Sequence, residues 1–147
     1  MNLLERELKL ENKHISVAFI TDSSFVMQTY VAAMSVKCNK NRETRYSVYV
    51  VSPDMTEDEF DVFRKLEDDT FKVKLVRGDM SRFDDLHNDK SSVSYISATK
   101  AALLKFDLPN LLPLEDKVLY LDGDIVVRGD LLELFRMNLD GYYVAAA

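Results

Sequence analysis

A single cysteine, Cys38, is all that the 147-residue chain carries, so no internal disulfide can form and a reducing compartment fits. Cys38 falls at the end of a helical pattern and is read as a small buried hydrophobe. Positive charge is also scarce. Nineteen Lys and Arg face 25 Asp and Glu, a net charge of −6, which argues against a general nucleic-acid binder with its basic face. A phosphorylated small molecule is still allowed, because one local cation or metal can reverse the local sign. No apolar run approaches the ~20 residues that a membrane-spanning helix needs. The opening MNLLERELKLENK has no uninterrupted apolar core, so it is not read as a signal peptide. A cytoplasmic protein is the expectation. There is no internal repeat and no low-complexity segment.

With 47% hydrophobic and 30% charged residues, the composition is that of one ordinary globular domain. Residues 1 to 14 are read as a leader or short amphipathic helix, with Leu3, Leu4 and Leu8 on one face, and 15 to 147 as the domain. Three β-branched and aromatic runs, at 15 to 21, 45 to 51 and 71 to 76, predict strands. Between them, DSSF offers caps for a helix over 24 to 38, where Val26, Tyr30, Ala33 and Met34 recur at helical spacing. Thr56 and Glu59 make a capping box for a helix carrying Phe60, Phe63 and Leu66. The polar stretch 78 to 94, with His87, is expected to be a functional or mobile loop. A helix over 97 to 106 follows, then a turn between Pro109 and Pro113, a fourth strand over 116 to 121 and a short helix over 130 to 135 capped by Asp130. Such alternation implies a Rossmann-like α/β fold, a mainly parallel sheet flanked by helices. The last residues, GYYVAAA, form an apolar strand-like run. They read as a cut through a core, so the chain is expected to be part of a longer protein.

In open α/β sheets, ligands bind at the carboxyl ends of the strands. Two polar sites fall there: Thr21-Asp22 and Asp122-Gly123-Asp124. Residues two apart on a strand share a face, so both carboxylates of the triplet could approach one ion. Gly123 would let the backbone bend and come close to a ligand. Carboxylate oxygens suit hard cations such as Mg²⁺ or Mn²⁺, which neutralise a diphosphate. A hairpin loop uses the same residues, and the triplet alone supports either reading. An EF-hand is excluded, because Ile125, Val126 and Val127 occupy positions that need oxygen ligands and a glycine. Arg128-Gly129-Asp130 is read as a turn and helix cap. His14 and His87 lack ligand spacing and are read as surface or locally hydrogen-bonded. Lys100 and Lys105 are read as solvated helix lysines, with phosphate or carboxylate binding as the functional alternative.

ISVAFITDSSFV, LLKFDLPNLLPLEDKVLYLDGDIVVRGDLLELF and NLDGYYVAAA together resemble glycosyltransferase family 8, which includes bacterial lipopolysaccharide galactosyl- and glucosyltransferases and glycogenin. The resemblance runs from about residue 15 to the end and implies a GT-A fold that holds a nucleotide sugar. It implies a retaining, metal-dependent transfer of a hexose from UDP-glucose or UDP-galactose to a glycan or lipid-linked, lipopolysaccharide-type acceptor. That places the work in cell-envelope polysaccharide synthesis, in the cytoplasm or at the inner face of the membrane. It further implies that Asp122 and Asp124 bind Mn²⁺ (or Mg²⁺) as a DxD motif, with Gly123 between them. Ile20, Thr21 and Asp22 would face the uridine, with Asp22 hydrogen-bonding it. Phe25 stands where relatives commonly have a stacking Tyr, and Ser24 stands at a frequent Asn position. Lys105 matches a position usually filled by Arg, where it supplies charge without a bidentate fork. A later histidine ligand in an HxxGxxKPW-like motif, and the acceptor-binding side chains, have no counterpart in this chain. No catalytic nucleophile is assigned, and residues 15 to 147 are expected to be the nucleotide-sugar half of the domain, with little or no transfer activity alone.

Two rivals stand beside this reading. One is a haloacid-dehalogenase-type phosphatase, whose D-x-D-G-[TV] motif differs from Asp122-Gly123-Asp124-Ile125-Val126. The other is a binding module that kept the fold without the chemistry. A truncated sheet would also expose apolar surface and favour self-association.

Overall fold

The computed structural model describes residues 13 to 87 and 101 to 146, the side chains of 84 to 87 apart. The leader up to residue 12, Lys100 and the first part of the helix predicted from 97 lie outside the described residues. Four parallel strands form one sheet in the order β3-β2-β1-β4: β1 (His14–Ile20), β2 (Arg45–Ser52), β3 (Phe71–Arg77) and β4 (Leu119–Leu121). β1 to β3 form where the β-branched runs predict them, and β4 covers only the last three residues of the run expected over 116 to 121. Every residue of β1 after His14 is buried, as expected when both faces of a parallel sheet are covered.

Alternation along β1 sorts its side chains into two layers. Ile15, Val17 and Phe19 pack with Val48 and Val50 against α1 (Val26–Asn39) and α2 (Glu57–Arg64). Ala18 and Ile20 pack with Tyr49 and Val51 against Leu104 and Leu112 on the opposite face. α1 buries Val26, Thr29, Ala32, Ala33 and Val36. Cys38 falls off that face and is exposed, so the expectation of a buried thiol is corrected. α2 starts where predicted: Thr56 accepts from the Glu59 N–H, and the Glu59 carboxylate accepts from the Thr56 N–H. Such a cap contributes about 0.5–2 kcal/mol.

The later elements differ more from expectation. The polar stretch after Gly78 contains a 3₁₀ helix, Met80–His87. The helix expected to end at 106 is a 3₁₀ helix, Ala101–Asp107, continuing into the single turn α3 (Leu108–Leu111), with Pro109 inside that turn and not ahead of it. Proline fits there because the first-turn N–H groups have no helical acceptor. Packing holds the tighter helix: Leu104 lies where a Cβ on Gly78 would be, 2.4 Å away, and the buried Asp107 accepts from Arg82 and Asn110. β4 pairs at only three positions. The chain before it is held by Glu115, which accepts from the Ser16 and Tyr49 hydroxyls. α4 (Leu132–Phe135) follows Asp130, whose carboxylate accepts from the Leu132 N–H at 2.9 Å. Among the described residues, the strand-like run near the end forms no strand, and Tyr142, Tyr143 and Val144 stand exposed.

Candidate functional site

The strand order reverses between β1 and β4, and in parallel sheets such a switch point opens a crevice at the carboxyl ends of the strands. Thr21-Asp22 leaves β1 on one side of that point, and Asp122-Gly123-Asp124 leaves β4 on the other. The structure therefore brings together the two polar sites singled out in the sequence.

On the β1 side, Asp22 caps a 3₁₀ turn, Ser23–Phe25. Its Oδ1 accepts from the backbone N–H of Ser24 at 2.9 Å and from the Ser24 hydroxyl at 2.6 Å. Phe25 keeps 37% of its surface exposed. Ile20 and Thr21 are buried, Ile20 among apolar side chains and Thr21 with its Oγ1 3.0 Å from that of Thr29. The β2 end supports this turn, because Asp54 accepts from the Ser23 N–H at 3.0 Å and from the Ser52 hydroxyl at 3.2 Å. Asp54 was not singled out by sequence reasoning. The signal available was a Ser-x-Asp step directly after a strand, the usual chemistry of an Asx-type turn.

On the β4 side, alternation sends neighbouring residues to opposite faces. Leu119 and Leu121 join the α1 layer, and Val118 and Tyr120 join the layer of Leu104. Gly123 continues the α1 side: a Cβ there would lie 2.5 Å from Thr29 Oγ1 and 3.5 Å from Phe25 Cδ1. Asp122 and Asp124 are exposed on either side of the buried glycine. The Tyr120 hydroxyl donates to Asp122 Oδ1 at 2.5 Å. Burial, then the Asp122 carboxylate and the charge of Asp124, push the Tyr120 hydroxyl well above the usual phenol range. Both carboxylates thus act on one phenol.

The hairpin reading is overturned here. β4 runs parallel to β1, and the chain after the triplet docks on α1 instead of returning as a strand. Val127 donates its N–H to Ser35 Oγ and accepts from the Asn39 side chain, at 2.9 and 3.0 Å. Lys105 is exposed in its 3₁₀ helix, with its ammonium 5.4 Å from the Phe106 ring centroid. His14, the first residue of β1, lies 2.9 Å from Ser47 Oγ of β2, at the end of the strands away from the acidic triplet. The side chain of His87 lies outside the described residues.

Two exposed carboxylates form a hard-oxygen donor set. Among the described residues, no group of three or more His, Cys, Asp or Glu could hold a metal. Carboxylate oxygens of this kind suit a small divalent cation whose remaining positions are filled by water and ligand oxygens. No helix among the described residues is long and apolar enough to cross a membrane.

The family model for Glycosyl transferase family 8 matches residues 16–147. Glycosyltransferase GlyB of Streptococcus pneumoniae serotype 4 is 30% identical over 135 residues, covering 89% of this chain and 30% of GlyB. A solved structure of the galactosyltransferase LgtC in complex with donor and acceptor sugar analogs aligns with a TM-score of 0.71 at 23% identity, over 85% of this chain and 43% of that one. The apo form of glycosyltransferase GlyE from Streptococcus pneumoniae TIGR4 aligns with a TM-score of 0.66 at 26% identity, over 91% of this chain and 29% of that one. The fold is thus the Rossmann-like GT-A type of these neighbours, and the chain spans less than half the length of each.

Proposed function

The chain belongs to glycosyltransferase family 8, and from that membership we propose that it forms the nucleotide-sugar half of a metal-dependent, retaining hexosyltransferase. Its donor is a UDP-hexose, glucose or galactose, and its acceptor a glycan or lipid-linked saccharide. The observation that carries this reading is the position of Asp122 and Asp124, exposed at the end of β4 where the strand order reverses. Asp22 ends the adjacent strand with Oδ1 engaged by Ser24, so its other oxygen is the one free to accept from the nucleobase. Phe25 offers a ring beside it for stacking, which is sequence-tolerant and worth ~1–3 kcal/mol per base. Lys105 supplies a point charge for the donor. A divalent cation held by Asp122 and Asp124 would act as Lewis acid on the leaving diphosphate. The protein's part is to fix the two carboxylates in the turn that leaves β4 and to hold the uridine end at Asp22 and Phe25. No nucleophile is assigned, and the chain by itself is expected to bind donor with little transfer.

Calorimetry of UDP binding with and without Mn²⁺, repeated on Asp124→Asn, tests this reading. The expected result is Mn²⁺-dependent binding that Asp124→Asn removes without lowering the melting temperature. Ligand at 100-fold over its Kd should stabilise the chain by ~2.7 kcal/mol. Metal-dependent binding that survives the substitution would remove the DxD assignment, and no UDP binding at all would favour a module without the chemistry.

A further inference from the structure

We infer that Tyr120 is the positioning residue of the acidic triplet: its hydroxyl holds Oδ1 of Asp122, so that the carboxylate presents a single oxygen to a cation. The inference rests on the cation reading of Asp122 and Asp124. Three observations carry it. The hydroxyl donates to Asp122 Oδ1 at 2.5 Å, the short distance of a hydrogen bond to an ionised acceptor. The residue is half-buried against the apolar cluster that contains Ala18, Ile20 and Leu104, and its backbone is paired to Ala18 of β1, so the donor is anchored in the sheet. Asp122 itself is exposed, and without this bond its carboxylate would rotate freely in solvent.

The consequence is a choice between cations. With one lone pair of Oδ1 engaged, Asp122 favours binding through its other oxygen alone, which suits the octahedral six-ligand shell of a small cation. Ca²⁺ favours larger shells, often completed by bidentate carboxylates. Tyr120 therefore tightens Mn²⁺ or Mg²⁺ binding and works against Ca²⁺. Partners that orient a ligating group typically change metal affinity by ~10–100-fold when removed.

The test is calorimetric titration of Mn²⁺ and of Ca²⁺ into the chain in the presence of a fixed excess of UDP, each corrected for titration into UDP alone, comparing it with Tyr120→Phe. Phenylalanine retains the packed ring, and a melting curve verifies that the fold is intact. The expected outcome is Mn²⁺ affinity lowered ~10–100-fold, with Ca²⁺ affinity lowered less or raised. Unchanged Mn²⁺ affinity in Tyr120→Phe, or an equal loss for both cations, would overturn the positioning role while leaving the metal reading intact. No cation binding by the unsubstituted chain would overturn both.

Discussion

The two neighbours of β1 differ in build. β2 pairs with it at seven positions, from His14↔Arg45 to Ile20↔Val51, whereas β4 pairs at three. From Val48 to Ser52, β2 is buried throughout, while all three residues of β4 are half-buried. The β2 side holds Tyr46, Phe63 and Phe71, each nearly inaccessible; the β4 side ends in two exposed carboxylates around a buried glycine. Packing dominates one side of β1, and the proposed site lies on the other. A short strand suffices there to bring Asp122 and Asp124 to the switch point.

Substitutions should separate the two sides. The largest effect is expected from Phe63→Ala on the β2 side. Phe63 is fully buried, edge-on to Tyr30 at 5.9 Å and stacked on Phe60 at 6.0 Å, and its truncation should cost about 3–5 kcal/mol in urea unfolding. A loss below about 1 kcal/mol would contradict the division.

Next comes Gly123→Ala on the β4 side, where the new Cβ would meet Thr29 Oγ1 at 2.5 Å. Overpacking of this kind costs about 1–3 kcal/mol. Thr29→Ala in the same chain removes the obstructing oxygen, so the pair should be less destabilised than the sum of the single changes. Strict additivity would mean that the end of β4 is not docked on α1 as described.

The smallest effect is expected at alkaline pH, where the two sides meet. Burial pushes the Tyr46 hydroxyl up to about 12, and burial followed by the Glu115 carboxylate pushes that of Tyr49 up to about 12. In the unfolded chain both titrate near ~10. The folded state thus favours the neutral phenols: their contribution is full below the unfolded value and is lost as pH rises from ~10 towards 12. Urea midpoints measured across that window should fall, and Tyr49→Phe should flatten the fall. A midpoint independent of pH there would show that neither phenol is held neutral by the fold.

The parts of this molecule that were legible in the sequence are those with local causes. β1, β2 and β3 could be read because β-branched residues are concentrated in short runs, and the start of α2 because its cap lies within four residues. Cys38 was misread because helical spacing shows that a face exists, not which residues flank it once the neighbours are set. The stretch 97 to 106 reads only as a helix, because so short a run does not let periodicity separate α from 3₁₀, and its described part is 3₁₀, Ala101–Asp107. Asp54 was passed over because its partner, Ser23, belongs to a different strand end.

At the site, the sequence alone determined that acidic residues follow two strands of a parallel α/β sheet, and which family pattern surrounds them. Only the tertiary structure decided that these strands flank the switch point, that Gly123 fits against Thr29, and which Asp22 and Asp122 oxygens are already engaged. The physical reason is range. Propensity, capping and alternation act over a few residues and are written along the chain. The switch point instead depends on β1, at 14 to 20, and β4, at 119 to 121, coming side by side, and on the hydrogen-bond geometry that follows once they have done so.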